Sequence, residues 1–218
     1  MGAFIACQYY ESDPFVHERL AMSLRYVRAT LCICAAKVYH LLARPGRPTV
    51  IYTDASTDAP CESGLRLGAV IFQDGQTFCI SLDVPEYVVQ SWKFRKTYIA
   101  TAELLIAPLL ALSAPHIFSE RDVLWFIDNQ SALGVLVKSA SSANDMSEMA
   151  LLNSLALASV SARVWFEYVP SKLNISDPLS REGWSSAKSD WIRLNLQVRW
   201  DLFLDRLESA MQMISALG

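Results

Sequence analysis

The chain has no excess of positive charge: 19 lysines and arginines stand against 22 aspartates and glutamates, a formal net charge of −3. It therefore lacks the broad basic surface of a protein that holds nucleic acid by electrostatics alone. Histidine and paired cysteine are scarce as well. The 3 histidines are His17, His40 and His116, and the 5 cysteines (Cys7, Cys32, Cys34, Cys61 and Cys79) include no CxxC pair and no zinc-type spacing. That set reads as small buried hydrophobes in a reducing compartment. No long apolar run is present: Leu31 to Ala36 is bounded by Arg28 and Lys37 and is too short to span a bilayer. The N-terminus has no basic region leading into a long apolar one, so no secretory signal is expected. These absences predict an intracellular, soluble chain with no membrane partner. Gly64 and Gly68 are followed by no Gly-Lys-Ser/Thr, which excludes a phosphate loop, and Ser56 and Ser180 have no histidine partner in a nucleophile-elbow context.

What is present is the composition of a folded protein. At 218 residues, 52% hydrophobic and 19% charged, the chain holds one full domain plus a substantial extension. Residues 14–43 place Leu20, Leu24, Val27, Leu31, Val38, Leu41 and Leu42 at mostly three- and four-residue steps, a helical rhythm that Arg44-Pro45-Gly46-Arg47-Pro48 ends. Short apolar runs predict strands at Thr49 to Thr53, Leu67 to Phe72 and Thr77 to Val84, with a hairpin turn at Gln73-Asp74-Gly75-Gln76. Thr97 to Ser113 turns helical, with Pro108 expected to kink it, and Val123 to Ile127 is apolar on both faces, as a central strand would be. Helices are expected over Ser131 to Lys138 and Met146 to Val160, then a strand over Arg163 to Val169. From Ser186 onward, Leu196, Trp200, Phe203, Leu207, Met211 and Ile214 form one stripe of a long amphipathic helix, with Trp184, Trp191 and Trp200 as anchors. There is no internal repeat. The chain divides into an N-terminal helical extension (1–48), a central domain (49–185) and a C-terminal amphipathic helix (186–218).

Within the central domain, four acidic residues occupy distinctive contexts. Asp54 ends the apolar run Val50-Ile51-Tyr52-Thr53, Glu103 lies inside the helical stretch from Tyr98 to Leu105, Asp128 ends Val123 to Ile127, and Asp177 lies in Asn174-Ile175-Ser176-Asp177-Pro178-Leu179-Ser180-Arg181. Singly, each would be a cap, a turn former or a solvated helix face. Together, carboxylates placed just past buried strands converge at one end of a sheet, and convergent carboxylates repel unless a divalent cation holds them. The segment Trp92-Lys93-Phe94-Arg95-Lys96 interleaves aromatics with cations just before the Glu103 helix. Its functional reading is a nucleic-acid contact; its bland reading is a solvated loop with Trp92 packed on the core.

This order of elements, with acids at these points, resembles the ribonuclease H domain over roughly residues 49–185. The string Asn174-x-x-Asp177-x-Leu179-Ser180-Arg181 is similar to the ending of ribonuclease H domains in retroelement polyproteins, of the tyrosine-recombinase (DIRS-like) or LTR-type groups. The resemblance implies an α/β fold, a five-stranded mixed sheet (βββαβαβα) with helices on its faces. It implies two Mg²⁺ ions, with Mn²⁺ as a substitute, held by Asp54, Glu103, Asp128 and Asp177, with Asp54 bridging, and no organic cofactor. One ion would lower the pKa of the attacking water and the other would stabilise the departing 3′ oxygen. The implied activity is hydrolysis of the RNA strand of an RNA–DNA hybrid, selected through 2′-hydroxyl contacts, beside an attached or associated reverse transcriptase. Nucleic-acid contacts are assigned to Asn129, Trp92, Lys93, Arg95, Lys96 and Asn174, and the N-terminal helix to a remnant of the polymerase connection. A noncatalytic relic that serves as a scaffold or binding module is the competing reading. No histidine follows His116, so the histidine that some ribonucleases H carry near the last acid is missing.

Overall fold

The computed structural model describes Ala21, Leu24 and residues 46–205 apart from Lys93, Arg95 and Leu202, with the side chain of Asn144 also left out. The N-terminal helix expected over 14–43 lies outside the described residues except for Ala21 and Leu24, both helical. Five strands and four helices carry the central domain: β1 (Thr49–Ser56), β2 (Arg66–Gln73), β3 (Gln76–Asp83), α1 (Glu86–Gln90), α2 (Ile99–Ser113), β4 (Asp122–Ile127), α3 (Gln130–Lys138), α4 (Asn144–Ser159) and β5 (Arg163–Tyr168). The short helix α5 (Asp177–Arg181) and the two-residue strand β6 (Ile192–Arg193) follow.

The sheet is six-stranded and mixed, in the order β5-β4-β1-β2-β3-β6. The first three strands form an antiparallel meander, while β4 and β5 join β1 in parallel. The expected turn at Asp74-Gly75 joins β2 to β3, and both residues have positive φ (50° and 80°), the backbone that a tight hairpin with the right twist demands. The α/β architecture expected from the sequence, a mixed sheet with helices packed on it, is thus observed, with one strand more than expected. The fourth strand is interior to the sheet, as anticipated.

One sheet face, bearing Ile51, Ala69, Ile71, Ile80, Val123, Trp125 and Ile127, packs into the main core with α2 and α4. The helix α2 is buried continuously from Thr101 to Ala111, because it is apolar on all sides and runs between the sheet and α4. It continues through Pro108 to Ser113 rather than ending there. On the opposite face, Val70 and Cys79 lie beneath Leu179 of α5, with Trp184 and Trp191 beside it. Further along that face Phe72, Leu124 and Trp165 are exposed.

The long C-terminal helix expected from Ser186 is corrected: residues 187–199 hold no helix, and the chain becomes helical only at Trp200. The reason is a competing period. Leu194, Leu196, Val198 and Trp200 alternate in steps of two, the spacing of an extended chain, and these residues pack partly buried along the core edge. Just before them, β6 pairs with β3 through Phe78 and Ile192 and extends the sheet. Trp184, Trp191 and Trp200 are anchors, as read, but of an irregular strap.

The approach of α5 to the sheet depends on Gly68. A Cβ there would lie 2.7 Å from the Ser180 nitrogen and 2.8 Å from the Ser176 oxygen, both backbone atoms. Gly68→Ala is therefore expected to destabilise the protein by roughly 1–3 kcal/mol. Gly134→Ala, in a helix position with nothing within 4 Å of the added carbon, should stabilise by about 1 kcal/mol. Urea unfolding of both variants measures the contrast.

Candidate metal centre

The site begins with strand register. Parallel pairing sets Thr53 opposite Ile127, so Asp54 and Asp128, the next residues of each chain segment, are neighbours at the carboxyl end of the sheet. The helix α2 packs against β1 and delivers Glu103 to the same place. Carboxylate oxygens of Asp54, Glu103 and Asp128 all lie within 4.8 Å of one another. Glu103 and Asp54 are 3% and 4% exposed, and Asp128 is half-buried.

Asp128 is relieved of another duty by its neighbour. Asn129 is the N-cap of α3, and its side-chain oxygen accepts from the Ser131 and Ala132 amides at 3.0 and 3.1 Å. The cap expected of Asp128 in isolation is thus supplied one residue later. Oε2 of Glu103 and Oδ1 of Asp128 have no hydrogen-bond partner. Buried carboxylate oxygens without partners cost free energy that a proton or cation removes.

Protonation follows the same logic. Burial pushes the Asp54 carboxyl up to about 7; the Ser180 hydroxyl opposes this, Asp128 and Asp177 add to it, and Arg181 opposes it weakly. Burial pushes Glu103 up to about 10, reinforced by the charges of Asp128 and Asp54 and by a hydrogen bond with Asp128. The donor set is all oxygen and carries at most three negative charges, which fits Mg²⁺ or Mn²⁺ better than a softer metal.

A scaffold of polar contacts holds the last segment beside β1. Asn174 Nδ2 donates to the Thr53 carbonyl at 2.9 Å, and its oxygen accepts from the Ser176 amide and hydroxyl at 3.2 and 2.7 Å. Ser81 donates to the Leu179 carbonyl at 2.9 Å. The hydroxyl of Ser180 donates to Asp54 Oδ2. That role for Ser180 had no signal in the sequence beyond its place in the final string, because its partner lies in the first strand. Asp177 does not join the three clustered acids. Its Oδ1 accepts from Arg181 Nε at 2.8 Å, although its charge still reaches Asp54.

Two of the proposed nucleic-acid contacts are corrected. Asn174 is 4% exposed with both ends of its amide used inside the protein, so it is a strut. Trp92 is 7% exposed and packs against Tyr98, ring centres 5.8 Å apart. The exposed aromatic of that loop is instead Phe94, at 95%, and Lys96 beside it is exposed. Lys93 and Arg95 lie outside the described residues. Asn129 keeps a half-buried position at the rim.

No protein-family model matches the chain, and no curated protein matches its sequence. Among solved structures it is similar to the RNase H1 of the halophilic archaeon Halobacterium salinarum NRC-1, at 15% identity and a TM-score of 0.45, over 64% of this chain and 98% of that one.

The raised acids dictate a pH dependence without metal. A carboxyl whose folded pKa exceeds its unfolded value favours folding fully below the unfolded pKa, and that advantage is lost as pH rises through the folded value. For Asp54 the window runs from 3.8 to about 7, and for Glu103 from 4.5 to about 10. Metal-free protein should lose stability across these windows, and Glu103→Gln should recover roughly 1–3 kcal/mol at pH 8. Mg²⁺ should raise the melting temperature of the wild type more at pH 8 than at pH 6, and Glu103→Gln should abolish most of that rise. Thermal melts with and without Mg²⁺ at both pH values test this.

Proposed function

We propose that the chain is a metal-dependent ribonuclease H-type endonuclease that hydrolyses the RNA strand of RNA–DNA hybrids within the reverse-transcription machinery of a retroelement. The observation that carries this reading is the convergence of Asp54, Glu103 and Asp128, with unpartnered oxygens on Glu103 and Asp128. These residues would hold Mg²⁺ or Mn²⁺, and Asp177 would complete the ligand set on leaving Arg181. When bound, such ions make water nucleophilic at neutral pH and neutralise charge on the leaving oxygen.

The chain's own groups supply the positioning. Ser180 fixes one oxygen of Asp54, and burial of Asp54 and Glu103 keeps water from competing for them. The loop of Phe94 and Lys96 joins α1 to α2, and β3, which leads into α1, ends at the same end of the sheet as Asp54, since Asp54 pairs with Gly68 and Gly68 with Ser81. Phe94 and Lys96 would meet the hybrid there, with Lys93 and Arg95 adding charge and the Asn129 amide close to the minor groove.

The retroelement assignment rests on the final string, each of whose distinctive residues has a physical task. Asn174 braces β1, Leu179 is fully buried, Ser180 holds Asp54 and Arg181 pairs with Asp177. An attached or associated reverse transcriptase is the partner this implies, in an intracellular setting. No described helix is long and apolar enough to cross a membrane.

A second reading, a noncatalytic scaffold, is favoured by one observation: the Asp177 carboxylate is engaged by Arg181 rather than by the acid cluster. Hybrid cleavage assays decide between the two. On the nuclease reading, wild-type protein with Mg²⁺ or Mn²⁺ cuts the RNA strand only, and Asp54→Asn, Glu103→Gln and Asp128→Asn each reduce the rate by at least roughly 100-fold. Asp177→Asn should cost less, about 10-fold. A folded wild type as inactive as Asp54→Asn in both metals establishes the scaffold.

A further inference from the structure

At the acid end of the sheet one cation is only lightly committed. Arg181 closes α5 and meets Asp177 one helical turn earlier, its Nε donating to Oδ1 at 2.8 Å. Among the described residues this is the one hydrogen bond of its guanidinium, and the side chain is 64% exposed. An exposed pair at this helical spacing is among the weakest ionic contacts in a protein. The backbone beside it is fixed by contrast. Leu179 is fully buried, its carbonyl accepts from Ser81 at 2.9 Å, Ser180 donates to Asp54, and the Glu182 amide donates to the Pro178 carbonyl at 2.8 Å. The Arg181 side chain can therefore change partners while its anchor stays in place.

Other arginines of the domain are held more firmly or farther away. Arg121 and Arg163 are bound by Asp74 and Asp122 at the amino ends of β4 and β5, away from Asp128. Arg66 stands at the acid end, opposite Ser56, but Asp83 holds it and its side chain is 12% exposed. Arg181 combines exposure with nearness: its charge acts on Asp54, and those of Asp54 and Asp128 act on it. A phosphodiester brought against Asp54, Glu103 and Asp128 adds negative charge where carboxylates already repel it. It needs a cation at the rim, and a guanidinium matches phosphate oxygens two at a time.

We propose that Arg181 is the substrate-phosphate contact beside the acid cluster, and that its guanidinium leaves Asp177 for a backbone phosphate when an RNA–DNA hybrid binds. The same exchange frees the Asp177 carboxylate, so the fourth acid becomes available only with substrate in place. This inference rests on the nuclease reading and adds to it the group that holds the substrate's backbone.

Anisotropy of a labelled RNA–DNA hybrid, titrated with the full chain in EDTA to prevent cutting, measures the contact apart from activity. Arg181→Ala should weaken binding by about tenfold and lower the slope of log affinity against log salt by about one, the signature of one lost phosphate contact. Phosphate binding and mere bracing of Asp177 call for opposite rescues. Arg181→Lys keeps the charge and should retain the wild-type slope with part of the affinity. Arg181→Gln keeps a donor for Asp177 and should behave like Arg181→Ala. Asp177→Asn releases Arg181 in advance and should tighten binding, by a factor that shrinks when Arg181→Ala is added. Wild-type affinity and slope in folded Arg181→Ala or Arg181→Gln overturn the inference; if the wild type still cuts the hybrid with Mg²⁺, the nuclease reading stands without it. A wild type that neither binds nor cuts the hybrid sinks both.

Discussion

Three carboxylates held within 4.8 Å of one another, two of them almost wholly removed from water, are the constraint around which the rest of this fold is arranged. At that separation and an effective dielectric of 20, each ionised pair repels by about 3 kcal/mol. No surface loop would hold such a group together. It is held because Asp54 and Asp128 follow adjacent parallel strands and Glu103 rides on a helix buried on every side. Rigid elements carry the cost, and unpartnered oxygens remain for a cation to satisfy.

Around these acids, capping, bracing and charge are divided among residues that stand beside them in sequence. Asn129 caps α3, so Asp128 does not have to turn toward the helix amides. Asn174 spends its amide on the Thr53 carbonyl, one residue before Asp54. Arg181 occupies Asp177 one helical turn away, leaving that acid next to the cluster and outside it. The charge of Asp177 still adds to the upward push on the Asp54 carboxyl.

The strands, the Asp74-Gly75 hairpin and the helices around Glu103 and Asp128 were legible because their signals are local: alternation, turn residues and apolar periodicity. Asp54 and Asp128 stood out because each closes a strand signal, and Glu103 because it interrupts an otherwise apolar helix. The tail was misread because Leu196, Trp200 and Phe203 satisfy a helical spacing while Leu194, Leu196 and Val198 satisfy an extended one, and only contact with the core edge chooses between them. Trp92 and Phe94 show a similar limit. Two aromatics separated by one residue in a turn give no hint which is buried, and packing against Tyr98 selects Trp92. The partner of Ser180 is 126 positions away in sequence, beyond the reach of any local pattern.

That long-range tie links the acid cluster to order in the segment 174–181. Asp54 is held by a hydroxyl that belongs to α5, and α5 is held to β1 and β3 by Asn174 and Ser81. Local opening of residues 174–181 would therefore release one carboxylate while the sheet stayed intact. By linkage, whatever ion favours the closed cluster must also favour the closed segment by the same free energy. Ordering of residues 174–181 and filling of the Asp54 site by an ion would then be coupled.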